Sequence, residues 1–235
     1  MDIEKKQSSP KRKRTAKKKK PPITVVIFDL DGTLYAMNWL FKPLFTSNCF
    51  PQMLHLPKYM KVRNDFRGKD FKRGDRLREK MGEALKEKGV KDAQEWIGIP
   101  FYKSFVKTLR SLNNRSNIVP LLRTLKKAGL TLVVLSDFGH IDHRLAALNI
   151  PRDLFDECVS CEEEGALKPH TRSIEIISER LGIPANEMLM VGDKDDTDGE
   201  LARKSGMRFF KVIGTHNKQW NHELAQLRSY IFKNR

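Results

Sequence analysis

The sequence predicts an α/β fold, a Rossmann-like parallel sheet with helices on both faces that carries a small helical cap domain. Three observations lead there. Ile23-Thr24-Val25-Val26-Ile27-Phe28 is an unbroken β-branched and aromatic run, the composition of a strand buried on both faces. From Val119 onward, short apolar runs alternate with segments of helical periodicity, as in a sheet built by helical crossovers. Between these regions, residues 36–118 carry helical periodicity without comparable strand runs and read as an insert.

The first strand stops at Asp29. In the insert, Phe71, Leu77, Met81 and Leu85 form one stripe of a helix over about 70–88, and Phe101, Phe105, Leu109 and Leu112 form another over about 101–112. An insert leaving the sheet directly after its first strand sits over the carboxyl ends of the strands, where open α/β sheets bind ligands, and acts there as a cap. Val119 to Ala128 reads as a helix that Gly129 stops, feeding the strand Leu130-Thr131-Leu132-Val133-Val134-Leu135. Weaker strands follow at 156–160, 188–191 and 208–212, separated by helices near 140–149, 170–181 and 199–205. Trp220, Leu224, Leu227 and Ile231 make the stripe of a C-terminal helix docked on the core. The chain thus divides into a disordered basic tail (1–22), an α/β core (23–35 and 119–235) and a helical cap insert (36–118).

The net charge of +16 is unevenly spread. Residues 1–22 hold 10 Lys or Arg against 2 acids and residues 36–118 hold 18 against 8, whereas residues 119–235 balance at 17 each. The tail and the dense insert residues Lys58, Lys61, Arg63, Arg67, Lys69, Lys72, Arg73, Arg76 and Arg78 point to contact with nucleic acid or another polyanion; a solvated basic surface is the plainer reading. No apolar run approaches the roughly eighteen residues of a membrane span, and the N-terminus is basic where a signal peptide is apolar. Cys49, Cys158 and Cys161 are too few for a disulfide framework. The expectation is a soluble, intracellular protein, cytoplasmic, or nuclear in a nucleated cell, with no membrane partner. Cys158 and Cys161 have half a zinc-site spacing without a second pair and read as ordinary thiols; His140 and His143 read as surface or packing residues.

Chemistry gathers at strand ends. Asp29-Leu30-Asp31-Gly32-Thr33 follows the first strand, two carboxylates at a turn that Gly32 eases. Ser136-Asp137 ends the second, Lys168-Pro169 precedes the helix at 170, and Gly192-Asp193-Lys194-Asp195-Asp196-Thr197-Asp198 follows the strand at 188–191. Singly, each has a structural explanation as a turn or a helix cap. The acidic loop is no calcium hand: counted from Asp193, its sixth position is Asp198 where glycine is needed and its twelfth is Lys204 where glutamate is needed.

In this order the four segments resemble the motifs of the haloacid dehalogenase-like hydrolase superfamily, over about 23–35 and 119–212. The branch with a helical cap between the first and second motifs is the most similar, and it also suits Arg144-Leu145, Leu148, Ile150, Phe155-Asp156 and Gly206-Met207. The insert's own residues carry no such resemblance. The resemblance implies a phosphatase acting on a phosphorylated small molecule. Asp29 is then a nucleophile that forms an acyl phosphate, and Asp31 a general acid and base. Magnesium, bound by the Asp29 side chain, the Asp31 carbonyl and Asp193, joins Lys168 in offsetting the like charges that meet in the attack. Ser136 and the amides around Gly32 hold the phosphoryl oxygens, with Thr33, Asp137 and Lys168 beside them. Asp198 orients a metal-bound water, with Asp196 the competing choice. A phosphomutase on the same residues is the alternative; dehalogenation is disfavoured because Asp31 has no role toward a leaving halide.

Overall fold

The computed structural model describes residues 21–37, 39–50, 52–112, 114–213 and 217–235, so the expected tail lies outside the described residues. Five parallel strands form one sheet: β1 (Val25–Asp29), β2 (Thr131–Ser136), β3 (Glu157–Ser160), β4 (Met188–Gly192) and β5 (Arg208–Lys211), in the order β3-β2-β1-β4-β5. Every residue of β1 and β4 is buried, which is why both read as continuous apolar runs. Register pairs Asp29 with Leu135 and Phe28 with Val191. Because the strands are parallel, Asp29, Ser136 and Asp193 emerge at one edge. The order reverses between β1 and β4, and a crevice opens at such a switch point. Asp29 and Asp193 flank it.

The insert comprises α1 (Phe41–Asn48), a short turn of helix at Gln52–His55, α2 (Leu56–Phe66), α3 (Gly74–Glu87), α4 (Ala93–Trp96) and α5 (Ile99–Arg110). Leu77, Met81 and Leu85 of α3 are buried, as are Phe101, Phe105 and Leu109 of α5, so both apolar stripes are core. The helix expected from residue 70 starts at Gly74 instead. Residues before it pair with the core: the Gly68 and Phe71 amides donate to the Leu167 and Gly165 carbonyls at 3.2 and 2.9 Å. Gly74 allows the closest approach, since a Cβ there would lie 2.5 Å from the Glu162 and Glu163 carbonyl oxygens. Backbone pairing to the core overrides helical periodicity at this junction.

Crossover helices connect the strands: α6 (Ile118–Lys127), α7 (Ile141–Ala147), α8 (Arg172–Leu181) and α9 (Glu200–Ser205), and α10 (Asn217–Lys233) follows the last strand. Trp220, Leu224, Leu227 and Ile231 of α10 are buried as their spacing predicts. Cys49, Cys158 and Cys161 are free thiols. No helix among the described residues is long and apolar enough to cross a membrane.

Candidate active site

Asp29 is the last residue of β1 and is 4% exposed. Lys168 Nζ donates to its Oδ1 at 2.6 Å and Thr33 Oγ1 to its Oδ2 at 3.1 Å. Lys168, also buried, donates to Asp198 Oδ1 at 2.7 Å. The turn at 31–33 is fastened by Arg115, whose guanidinium donates to the Gly32 and Thr33 carbonyls at 2.5 and 3.0 Å while stacking 4.3 Å from the Trp220 ring. Gly32 has φ +91°, and any Cβ there would strike the Asp193 carboxylate, so glycine lets that side chain lie across the turn.

Oxygens of Asp29, Asp193 and Asp198 lie within 4.8 Å of one another. Residues 195–199 form a single wide helical turn, with the Gly199 amide donating to the Lys194 carbonyl at 3.2 Å. That turn buries Asp198 and leaves Asp196 exposed, so Asp198 is the member of the loop that enters the cluster. Lys168 pairs with two of the three carboxylates, Asp29 and Asp198. Burial pushes the Asp29 carboxyl well above its ordinary value; Lys168 opposes this, while Asp198, Asp31 and Asp193 add to it. Burial likewise raises Asp193, against Lys194 and with Asp198. Lys168 is held well above its ordinary value because Asp198 and Asp29 outweigh its burial. Three hard oxygen donors with unbalanced negative charge fit Mg2+.

Asp31 stands differently. Its Oδ1 accepts from Arg144 Nη2 and, at 2.7 Å, from Tyr35 Oη; its Oδ2 accepts from Ser136 Oγ at 3.0 Å. Burial alone raises its carboxyl, but the Arg144 charge and these hydrogen bonds bring it below its ordinary value. Arg144 is fully buried, lies over the Phe105 ring at 4.6 Å and also donates to Ser136 Oγ at 2.9 Å. Ser136 is therefore engaged with Asp31 and Arg144. Asp137 Oδ1 accepts from the Lys168 amide at 2.9 Å, which fixes the backbone that carries the lysine.

A cavity of about 480 Å³ opens above these groups, lined by Asp29, Asp31, Asp137, Lys168, Asp193 and Asp198 below and by residues of α1, α2 and α5 above. Arg63, one of the basic residues counted in the insert, is buried rather than solvated: it pairs with Glu162 at 2.5 Å and donates to the Asp137 carbonyl at 2.8 Å. Tyr102 Oη donates to the same Glu162 carboxylate at 2.9 Å. His140 packs beside Tyr102, ring centres 4.4 Å apart, outside the acidic cluster. No motif in the sequence marks Tyr35, Arg115, Arg63 or Glu162 as site residues, and Arg144 enters only through the resemblance.

The sequence matches the haloacid dehalogenase-like hydrolase family over residues 23–206. It is 34% identical over 94 residues to the glyceraldehyde 3-phosphate phosphatase of Methanocaldococcus jannaschii, a match spanning 39% of this chain and 41% of that protein. Among solved structures, a 2-haloacid dehalogenase from Pseudomonas syringae superimposes with a TM-score of 0.59 at 21% identity, covering 87% of this chain and 99% of that one. The HAD-hydrolase YfnB from Bacillus subtilis, bound to magnesium, gives 0.61 at 15% identity over 88% and 100%. CbbY from Rhodobacter sphaeroides, in complex with xylulose 1,5-bisphosphate, gives 0.59 at 17% identity over 82% and 87%. At these identities the structural likeness speaks for the fold. The match over 23–206 carries the assignment further: this chain belongs to the haloacid dehalogenase-like hydrolases.

Proposed function

We propose that this chain is a Mg2+-dependent phosphomonoester hydrolase in which the Asp29 carboxylate attacks phosphorus to form an aspartyl phosphate that water then cleaves. The observation that carries this reading is the setting of Asp29, buried at the cavity floor, oriented by Lys168 at 2.6 Å and Thr33 at 3.1 Å, and crowded by Asp193 and Asp198. The partial likeness to a glyceraldehyde 3-phosphate phosphatase supports the same chemistry.

A carboxylate approaching a phosphate dianion needs compensating positive charge. Lys168 brings one charge to the nucleophile. Asp29, Asp193 and Asp198 are the side chains that would hold Mg2+, which when bound supplies the further charge on the phosphoryl oxygens. As the bond from Asp29 to phosphorus forms, the ester P–O bond breaks and the leaving oxygen takes a proton. Asp31 is the carboxyl on the cavity wall that can give it. Ion-paired to Arg144 it holds no proton, so this role requires Asp31 to turn away from Arg144 toward the substrate. In the second half Asp31 accepts a proton from the attacking water, for which the ionised form is suited.

Phosphate release from aryl and metabolite phosphates, with and without Mg2+, tests the reading against Asp29→Asn. The variant is expected to lose roughly 10⁴-fold or more in kcat, as removal of a nucleophile does. Release that persists in Asp29→Asn sinks it. A sugar monophosphate that isomerises without net release marks a phosphomutase instead.

A further inference from the structure

We propose that the substrate's alcohol half is apolar, so that the ester taken by this site is an aryl or alkyl phosphomonoester rather than a polyhydroxylated one; this rests on the phosphatase reading of the same cavity. Above the carboxylates the apolar part of the wall is built from Phe41, Phe45, Leu56, Met60 and Phe105, closed on the core side by Phe138. The rings form one packed set, with centroids of Phe45 and Phe105 at 5.4 Å and of Phe105 and Phe138 at 5.5 Å. They present carbon to the space between the phosphate end and the mouth.

Recognition of sugar hydroxyls needs convergent donors and acceptors, because a hydroxyl buried without a partner is penalised. The polar groups that the insert contributes do not form such a set. Arg63 is committed to Glu162 and to the Asp137 carbonyl, and Thr46 Oγ1 donates to the Lys42 carbonyl at 2.7 Å. Lys42 and Asn64 are exposed, and Arg67, half-buried on the same lining, offers donors without an acceptor. At the mouth, the apolar side chains of Met37 and Met60 stay 45% and 37% exposed, surface that an apolar ligand body would cover. Anion recognition thus lies at the floor and apolar recognition above it, the usual division of a small-molecule site.

The test is titration calorimetry of the full chain with Mg2+ and a series of alkylphosphonates, methyl to octyl, which cannot be hydrolysed. Affinity is expected to rise roughly two- to fourfold per methylene until the cavity is filled. The dependence should flatten in Phe45→Ser and, where folding of that variant fails, in the more exposed Met60→Gln. An affinity independent of chain length, or polyol phosphonates binding tighter than alkyl ones of equal length, overturns the proposal. In parallel, phenyl phosphate should exceed glyceraldehyde 3-phosphate in kcat/KM by about 10- to 100-fold. The two readings fail separately. Chain-length-dependent binding without release from any ester overturns the phosphatase and supports the apolar subsite; Asp29-dependent release with a flat phosphonate series does the reverse.

Discussion

Asp29 and Asp31 are two positions apart and both buried, yet their surroundings are opposite. On the Asp29 side three carboxylates crowd together and Lys168 pairs with two of them, Asp29 and Asp198, while burial with the neighbouring acids pushes the Asp29 carboxyl up. On the Asp31 side a single carboxylate faces Arg144 and two hydroxyls, which bring it down despite the same burial. One strand end therefore has a half that lacks positive charge and a half that is already neutralised. A cation has a reason to bind the first and none to bind the second.

Arg144→Met breaks this contrast most severely. It leaves Asp31 buried with only the Tyr35 and Ser136 hydroxyls, and removing one partner of a buried pair costs about 3–5 kcal/mol. Denaturant unfolding should show that loss, and Asp31→Asn in the same background should recover part of it, because the stranded charge disappears with it. Additive losses in the double variant would mean that Arg144 acts mainly by packing over Phe105 and Phe138.

Lys168→Met attacks the other half. The cation shared by Asp29 and Asp198 is lost, and kcat/KM for phosphate release should fall about 10²- to 10³-fold, the scale of one electrostatic contact to developing charge. The environment of Asp31 should not change, since Lys168 makes no contact with it among the described residues. A shift in the Asp31 titration, followed by carboxyl NMR in both proteins, would argue that the halves are coupled.

How much of this was legible follows from what a sequence encodes locally. Buried parallel strands read as apolar runs, so the ends of β1, β2 and β4 and the residues on them could be placed. The start of α3 could not, because residues 68–74 are held by carbonyls of the core loop at 163–167. Asp196 and Asp198 differ in sequence by two places, and only the wide turn at 195–199 turns one inward. Arg144 and Asp31 meet across 113 positions, and Arg63 and Glu162 across 99. Charge counting assigns such arginines to the surface because composition carries no direction.

Magnesium should expose the contrast through pH. Asp29 and Asp193 have raised carboxyl values in the fold, so the metal-free protein loses their contribution to stability as pH rises from the ordinary value near 3.8 through the raised ones. Asp31 is lowered, so its contribution is present above 3.8 and is lost as pH falls through its lowered value. Protons compete with Mg2+ at the first pair only. Stabilisation by Mg2+ should therefore grow with pH above 3.8, reach about 2.7 kcal/mol at a hundredfold excess over Kd, and vanish in Asp193→Asn. Thermal melts with and without the ion across pH read this directly, and an unchanged gain in Asp193→Asn would place the ion elsewhere.

The gentlest change is Tyr35→Phe. Tyr35 is fully buried and donates to Asp31 Oδ1 at 2.7 Å, on the same oxygen that Arg144 contacts. Losing one hydrogen bond to a charged group costs about 1.5–3 kcal/mol, and Arg144 and Ser136 remain to hold the carboxylate, so the lower end is expected. The consequence for chemistry runs the other way. With one donor fewer, the Asp31 carboxyl should rise toward its ordinary value and leave Arg144 more readily, favouring the protonated form that a leaving oxygen requires. The alkaline limb of the pH–rate profile, where a group needed in its protonated form is lost, should move upward in Tyr35→Phe while the Mg2+ gain in melting temperature stays as in the wild type. A change in the Mg2+ gain instead would show that the two halves of the strand end are not independent.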